Sequence, residues 1–205
     1  MEVFFDKIPS DNCPNSNQGE KTMTKMKNLL NEAERISKKF RNKDMKADSK
    51  FLEKIKKKKF SSFFNKKLFF AKFSKIFKVR SKTPPTISEY FDRINSYGQF
   101  PEEVLLLTGL LLIQTIFCPK SPIIEKELMI KLFATCLNIS QKLIMDICWD
   151  QEDFAKLVGF KRKSLRRMEI FLSIDLFEGN IPYSHKDIKE FKEWLNFEDF
   201  IEESC

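Results

Sequence analysis

From Thr86 to the C-terminus, apolar residues recur at spacings of three and four, with no stretch of strict alternation. That period predicts helices and no strand. In "EYFDRINSYG", Tyr90, Phe91, Ile94 and Tyr97 form one stripe, with Ser88 expected as the cap and Gly98 as the stop. Pro101 followed by Glu102 and Glu103 makes a good first turn for a second helix reaching about Phe117. Proline suits the first position and acids suit the positive end of the helix dipole. This helix, "VLLLTGLLLIQTIF", is apolar almost all round and therefore has to be central.

After a turn at "CPKSPI", a third helix is expected from Glu125 to about Lys142, with Leu128, Leu132, Thr135, Cys136, Ile139 and Leu143 on its inner stripe. A short fourth helix, Gln151–Val158, ends at Gly159. The fifth, Arg162–Ser173, turns Leu165, Met168, Phe171 and Leu172 inward. A final amphipathic helix, "SHKDIKEFKEWL", is capped by Ser184. The expected fold is all-α, helices gathered around one apolar helix.

Upstream the pattern weakens. Residues 1–20 are polar, with scattered Pro, Asn and Ser, and read as disordered. Met23–Phe40 reads as a helix, with Met26, Leu29, Leu30, Ala33, Ile36 and Phe40 on its stripe. In "KKKKFSSFFNKKLFFAKFSKIFKV", lysines alternate with aromatics, and Phe63, Phe70, Phe73 and Phe77 fall near one helical face. The prolines of "SKTPPT" then mark a boundary. The chain divides into three regions: a basic, Phe-rich extension over 1–83, a compact domain over 84–180, and an acidic helix and tail over 181–205.

Charge sharpens that division. The net charge of +8 hides 18 basic against 3 acidic residues within 38–82, which leaves 19 basic and 26 acidic residues elsewhere. The arm includes Lys56, Lys57, Lys58 and Lys59, and further on Lys66 and Lys67. Such an arm suits an anionic membrane surface, a nucleic acid, an acidic protein, or simply water, and composition alone does not choose among them.

Several function classes drop out. Five cysteines without a C-x-x-C, and the single His185, provide neither a zinc-finger spacing nor a Cys–His pair. No G-x-G-x-x-G, G-x-S-x-G, H-E-x-x-H or phosphate-binding loop is present. We therefore expect no catalytic residue, metal or cofactor, and no enzyme. Glu2 and Asp6 interrupt the N-terminus where a signal peptide would be apolar, and Val104–Cys118 spans 15 residues, short of the roughly 18–20 that cross a bilayer. The expectation is an intracellular protein, cytoplasmic or nuclear, neither secreted nor membrane-spanning.

One stretch carries more. "QKLIMDICWDQEDFAKLVGFKRKSLRRMEIFL" places one charge, Lys142, at the end of an apolar pattern and another, Glu169, inside the next. Together with the opening "PTISEYFDRINSYGQFPEE", this segment resembles the cyclin box, specifically the phosphate-pathway or P/U type, over about residues 85–180. That family's K-F-L-D-D is matched by Lys142, Leu143, Ile144, Met145 and Asp146. Its aromatic-rich "YAKVGG" is matched by Phe154 through Gly159, and the "L-E" and "F-L" of its last segment by Met168-Glu169 and Phe171-Leu172. The resemblance implies a single five-helix cyclin-box domain around a central apolar helix, with the basic arm as a helical or disordered extension.

It also implies a function: a regulatory subunit that binds a cyclin-dependent protein kinase and favours its active conformation. Lys142 and Glu169 would grip the kinase around its regulatory helix, with Leu143 and Ile139 adding apolar contact. One departure is visible. The family pairs an arginine of the first helix, matched by Arg93, with an aspartate near the end of the second, where this chain has Ile113 and Gln114. Arg93 therefore needs another acceptor or has to face water. The alternative is a structural cyclin-fold component of a larger assembly that does not activate a kinase, anchored to neighbouring subunits through the basic arm. A nucleic-acid-binding helical domain, suggested by charge alone, predicts binding that falls steeply with salt.

Overall fold

The computed structural model describes residues 21–29, 66–78, 86–118, 121–122, 124–181 and 183–202, and every regular element among them is helical. Residues 21–29 form α1. The others are α2 (Lys66–Phe77), α3 (Ile87–Gly98), α4 (Glu102–Phe117), α5 (Lys126–Ile144), α6 (Gln151–Leu157), α7 (Arg162–Ile170) and α8 (His185–Glu202). α7 runs on as a π-helical turn, Phe171–Leu176.

α3 begins two residues earlier than expected. Thr86, not Ser88, is the cap: its hydroxyl accepts the Glu89 N–H at 3.2 Å, and Glu89 Oε2 accepts the Thr86 N–H at 2.8 Å. This reciprocal pair satisfies two orphan donors at once, which a lone serine at 88 would not. The Thr86 N–H and hydroxyl, both donating to Glu89 Oε2, hold the Glu89 carboxyl below its ordinary range. The Ser88 hydroxyl donates to Asp92 instead. At the other end Gln99, not a glycine, takes the left-handed position with φ 43°. Gly98 serves a different need, since a Cβ there would come within 2.3 Å of the Phe100 ring.

α4 is the axis. Every residue from Val104 to Phe117 is buried. α5 lies along it, α8 crosses it, and α7 closes on α5. The expected inner stripe of α5 holds for Leu128, Leu132, Thr135, Cys136 and Ile139, all buried. Leu143 breaks it, being 39% exposed. Leu165, Met168, Phe171 and Leu172 all face inward, as the sequence indicates. Ser184 caps α8 by accepting the Asp187 N–H.

Two elements of the expected extension pack on this frame. In α1, Met26 is buried, and Thr22 donates to Glu102 Oε1 at 2.9 Å, while Lys192 of α8 donates to Glu102 Oε2 at 2.8 Å. Gly109 makes the crossing possible: an added Cβ would lie 2.5 Å from Met26 Sδ and 2.6 Å from the Phe191 ring. Gly109→Val is therefore expected to cost about 1–3 kcal/mol by overpacking. Chemical denaturation measures this, and an unchanged midpoint would contradict the close approach. The remaining positions of the Met23–Phe40 reading, Leu30 through Phe40, lie outside the described residues, as do residues 1–20.

α2 lies across α5 and α7. Phe69, Phe73 and Phe77 are buried and meet Phe171 with ring centroids 5.1, 5.8 and 5.9 Å apart. Phe69 rather than Phe70 belongs to this face, Phe70 being only half-buried, and Phe63 lies outside the described residues. Lys72 pairs with Asp175, and Lys131 of α5 donates to the Lys78 carbonyl at 2.9 Å.

Candidate functional site

α5 ends where α7 passes beside it, and this junction brings Lys142 to Glu169. Lys142 Nζ donates to Glu169 Oε1 at 2.7 Å and to Oε2 at 2.9 Å. Their side chains are 33% and 20% exposed, so the pair is half desolvated. Glu169 Oε2 also accepts Asn138 Nδ2 at 2.9 Å and Gln151 Nε2 at 3.1 Å. The carboxylate thus has donors from α5 and from α6. Asn138 and Lys142 are four residues apart on α5 and share a face, which is how one carboxylate reaches both.

Exposed apolar side chains stand next to this pair in the chain, Leu143 after Lys142 and Ile170 after Glu169, with Ile147 in the following loop and Ile174 a turn beyond Ile170. Leu143 is 39% exposed, Ile147 87%, Ile170 51% and Ile174 57%. A partly buried charge pair with exposed apolar side chains beside it is a composition found at interface hot spots. One expectation is corrected: Ile139 is 3% exposed within the core and offers no side chain to a partner. It sits one helical turn before Leu143, and the turn between them is where α5 leaves the core.

The sequence reading missed Asn138, Gln141, Gln151, Ile147, Ile170 and Ile174. A signal existed for two of them: Ile170 and Ile174 are apolar yet fall outside the inward set of α7. The two are four residues apart and stay outside together, although a π-helical turn, in which the Phe177 N–H bonds the Leu172 carbonyl, begins at Phe171. The amides carried no signal, because short polar residues in a helix read as surface.

Arg93 has found its other acceptor. Its Nη2 donates to the Lys156 carbonyl at 2.9 Å, and Tyr90 Oη donates to the Val158 carbonyl at 3.0 Å. Both cap the C-terminal carbonyls of α6, where a cation also suits the negative end of the helix. Burial pushes the Tyr90 hydroxyl well above its ordinary value, so it remains a donor. Ile113 is simply core.

Lys66 and Lys67 open α2, while Lys56, Lys57, Lys58 and Lys59 lie outside the described residues. The aromatic face of α2 is occupied by Phe171, which removes it as a membrane-inserting surface. Among the described residues no group of histidines, cysteines and carboxylates could hold a metal, and no helix is long and apolar enough to cross a membrane. Cys118 and Cys136 are buried cysteines and Cys148 is exposed; burial pushes the Cys136 thiol up.

Most of the chain is matched by a family model. The model of the cyclins covers residues 10–178. The chain belongs to the cyclin family. No curated protein matches it. The all-α arrangement around α4 is thus a cyclin-box fold, and the match takes in α1 and α2 as well as α3 to α7. Cyclins are regulatory rather than catalytic, and a cyclin-like regulatory role follows from membership.

Proposed function

We propose that this cyclin is the regulatory subunit of a cyclin-dependent protein kinase, of the P/U type, and that it binds through the face where α5 meets α7. The observation that carries the reading is the largely buried Lys142–Glu169 pair on elements that also expose Leu143, Ile147, Ile170 and Ile174. On docking, Lys142 and Glu169 offer their remaining donor and acceptor positions to the kinase backbone around its regulatory helix, and the exposed apolar side chains seal the contact from water. A regulatory helix held inward brings its glutamate to the ATP-site lysine, and the active arrangement gains population. The basic arm, with Lys56, Lys57, Lys58, Lys59, Lys66 and Lys67, is assigned to locating the complex or extending its contact.

The test is a pull-down of tagged wild type beside Lys142→Ala/Glu169→Ala, with the retained proteins identified by mass spectrometry. A protein kinase retained by the wild type and lost by the double variant is the expected result. Recovery of no kinase, with a stable set of other proteins surviving both substitutions, would make the box a scaffold and shift attention to the arm.

A further inference from the structure

Gln141 precedes Lys142, is completely buried, and reaches in two directions. Its Oε1 accepts the backbone N–H of Trp149 at 3.2 Å, and its Nε2 donates to Asn138 Oδ1 at 3.3 Å. Asn138, equally buried, continues the chain by donating from Nδ2 to Glu169 Oε2 at 2.9 Å. An unbroken series of hydrogen bonds therefore runs from a backbone amide in the 145–150 loop to the carboxylate of the site. Each side-chain amide is engaged at both ends, so neither flips without losing two bonds.

Methionine at 141 or leucine at 138 would fill comparable space with no polar group to desolvate, and a buried polar network is favourable only when every member is satisfied. This one is satisfied, and what it spans is informative. At one end is a loop that exposes Ile147 almost completely, and at the other is Glu169. The loop has no helix of its own between α5 and α6, and Gln141 anchors it to α5 through the Trp149 amide.

We infer that Asn138 and Gln141 are positioning residues of the docking face. They tie the 145–150 loop to Glu169, so that Ile147 and the carboxylate meet a partner as one preformed unit. A loop ordered in advance spares the partner the entropy of ordering it. The inference rests on the kinase reading for the identity of the partner, whereas the coupling between loop and carboxylate belongs to the free chain.

The test uses the full chain with Asn138→Leu and Gln141→Met. Two quantities are read: hydrogen exchange at the Trp149 amide by NMR, and affinity for the kinase recovered by the wild type. Asn138→Leu is decisive, because Asn138 does not touch the Trp149 amide. Both variants are expected to speed Trp149 exchange about tenfold, the size of one net hydrogen bond, and to weaken kinase binding about tenfold. Unchanged exchange in Asn138→Leu overturns the coupling. Faster exchange with undiminished kinase affinity overturns the positioning role. If Asn138→Leu does not fold, Asn138→Asp keeps the shape and the acceptor for Gln141 while removing the donor to Glu169, and the same readouts decide. A wild type that recovers no kinase removes the kinase reading, and Trp149 exchange alone then supports or overturns the coupling.

Discussion

Phe171→Ala is expected to lower the unfolding free energy by about 3–5 kcal/mol, the cost of emptying a large aromatic site in a core. Phe171 is 1% exposed and receives three rings of α2 at once. Lys72 lies 5.1 Å above the same ring. Against the ~5–15 kcal/mol that holds a typical domain together, such a loss is large. It should also be local, because all three rings of α2 converge on this one side chain. Urea denaturation measures the loss, and limited proteolysis should find new cleavage within 66–78. Lys72→Ala is the contrast: an exposed ion pair with Asp175 contributes about 0–1 kcal/mol. Phe171→Ala costing no more than Lys72→Ala would mean that the aromatic cluster does not hold α2.

Glu169→Ala is expected to weaken kinase binding by about 2–5 kcal/mol, or roughly 30-fold to several thousandfold, the range for truncating one partner of a desolvated charge pair. It should also reduce the stability of the free protein by about 1–3 kcal/mol, since the buried Asn138 amide loses its acceptor. Lys142→Ala should weaken binding to a similar degree but leave stability within about 1 kcal/mol. Glu169 keeps Asn138 and Gln151 when the lysine goes, and the half-exposed lysine is paired only through that carboxylate. Calorimetric titration with the recovered kinase and thermal unfolding of both variants separate the two effects. Equal destabilisation by the two variants would contradict the fixed carboxylate. Equal kinase affinity in wild type and both variants would remove the pair from the interface.

The two predictions concern opposite sides of one helix. Phe171 lies two residues beyond Glu169, and the π-helical turn begins with it. One side of this helix is committed to α2 and the other, with Ile170, is exposed. The described part of the basic arm therefore packs on the helix that carries Glu169 instead of trailing from it. α2 is a component of the cyclin's packed body, though its composition reads as a solvated extension.

What the sequence by itself determined is the helical class, the order of helices and the central place of α4. Those depend on periodicity and on punctuation: an apolar period near 3.6, Pro101 at a helix start, Gly159 and its left-handed φ of 73° at a helix end. These are local causes, readable from neighbouring residues. Lys142 and Glu169 also stood out, as two charges at odds with their apolar surroundings; that they pair is seen only in the fold. Tertiary structure alone decided which apolar residues stay outside. Leu143 and Ile139 belong to the same stripe by spacing, yet one is exposed and the other buried, because α5 outruns the helices that cover it. Asn138, Gln141 and Gln151 were invisible for a related reason. A buried amide is tolerated only where its partners converge, and the partners that matter here lie 8 to 31 residues away along the chain, on α7 and in the 145–150 loop. The sequence states the donors and acceptors; only the fold brings them within reach of one another.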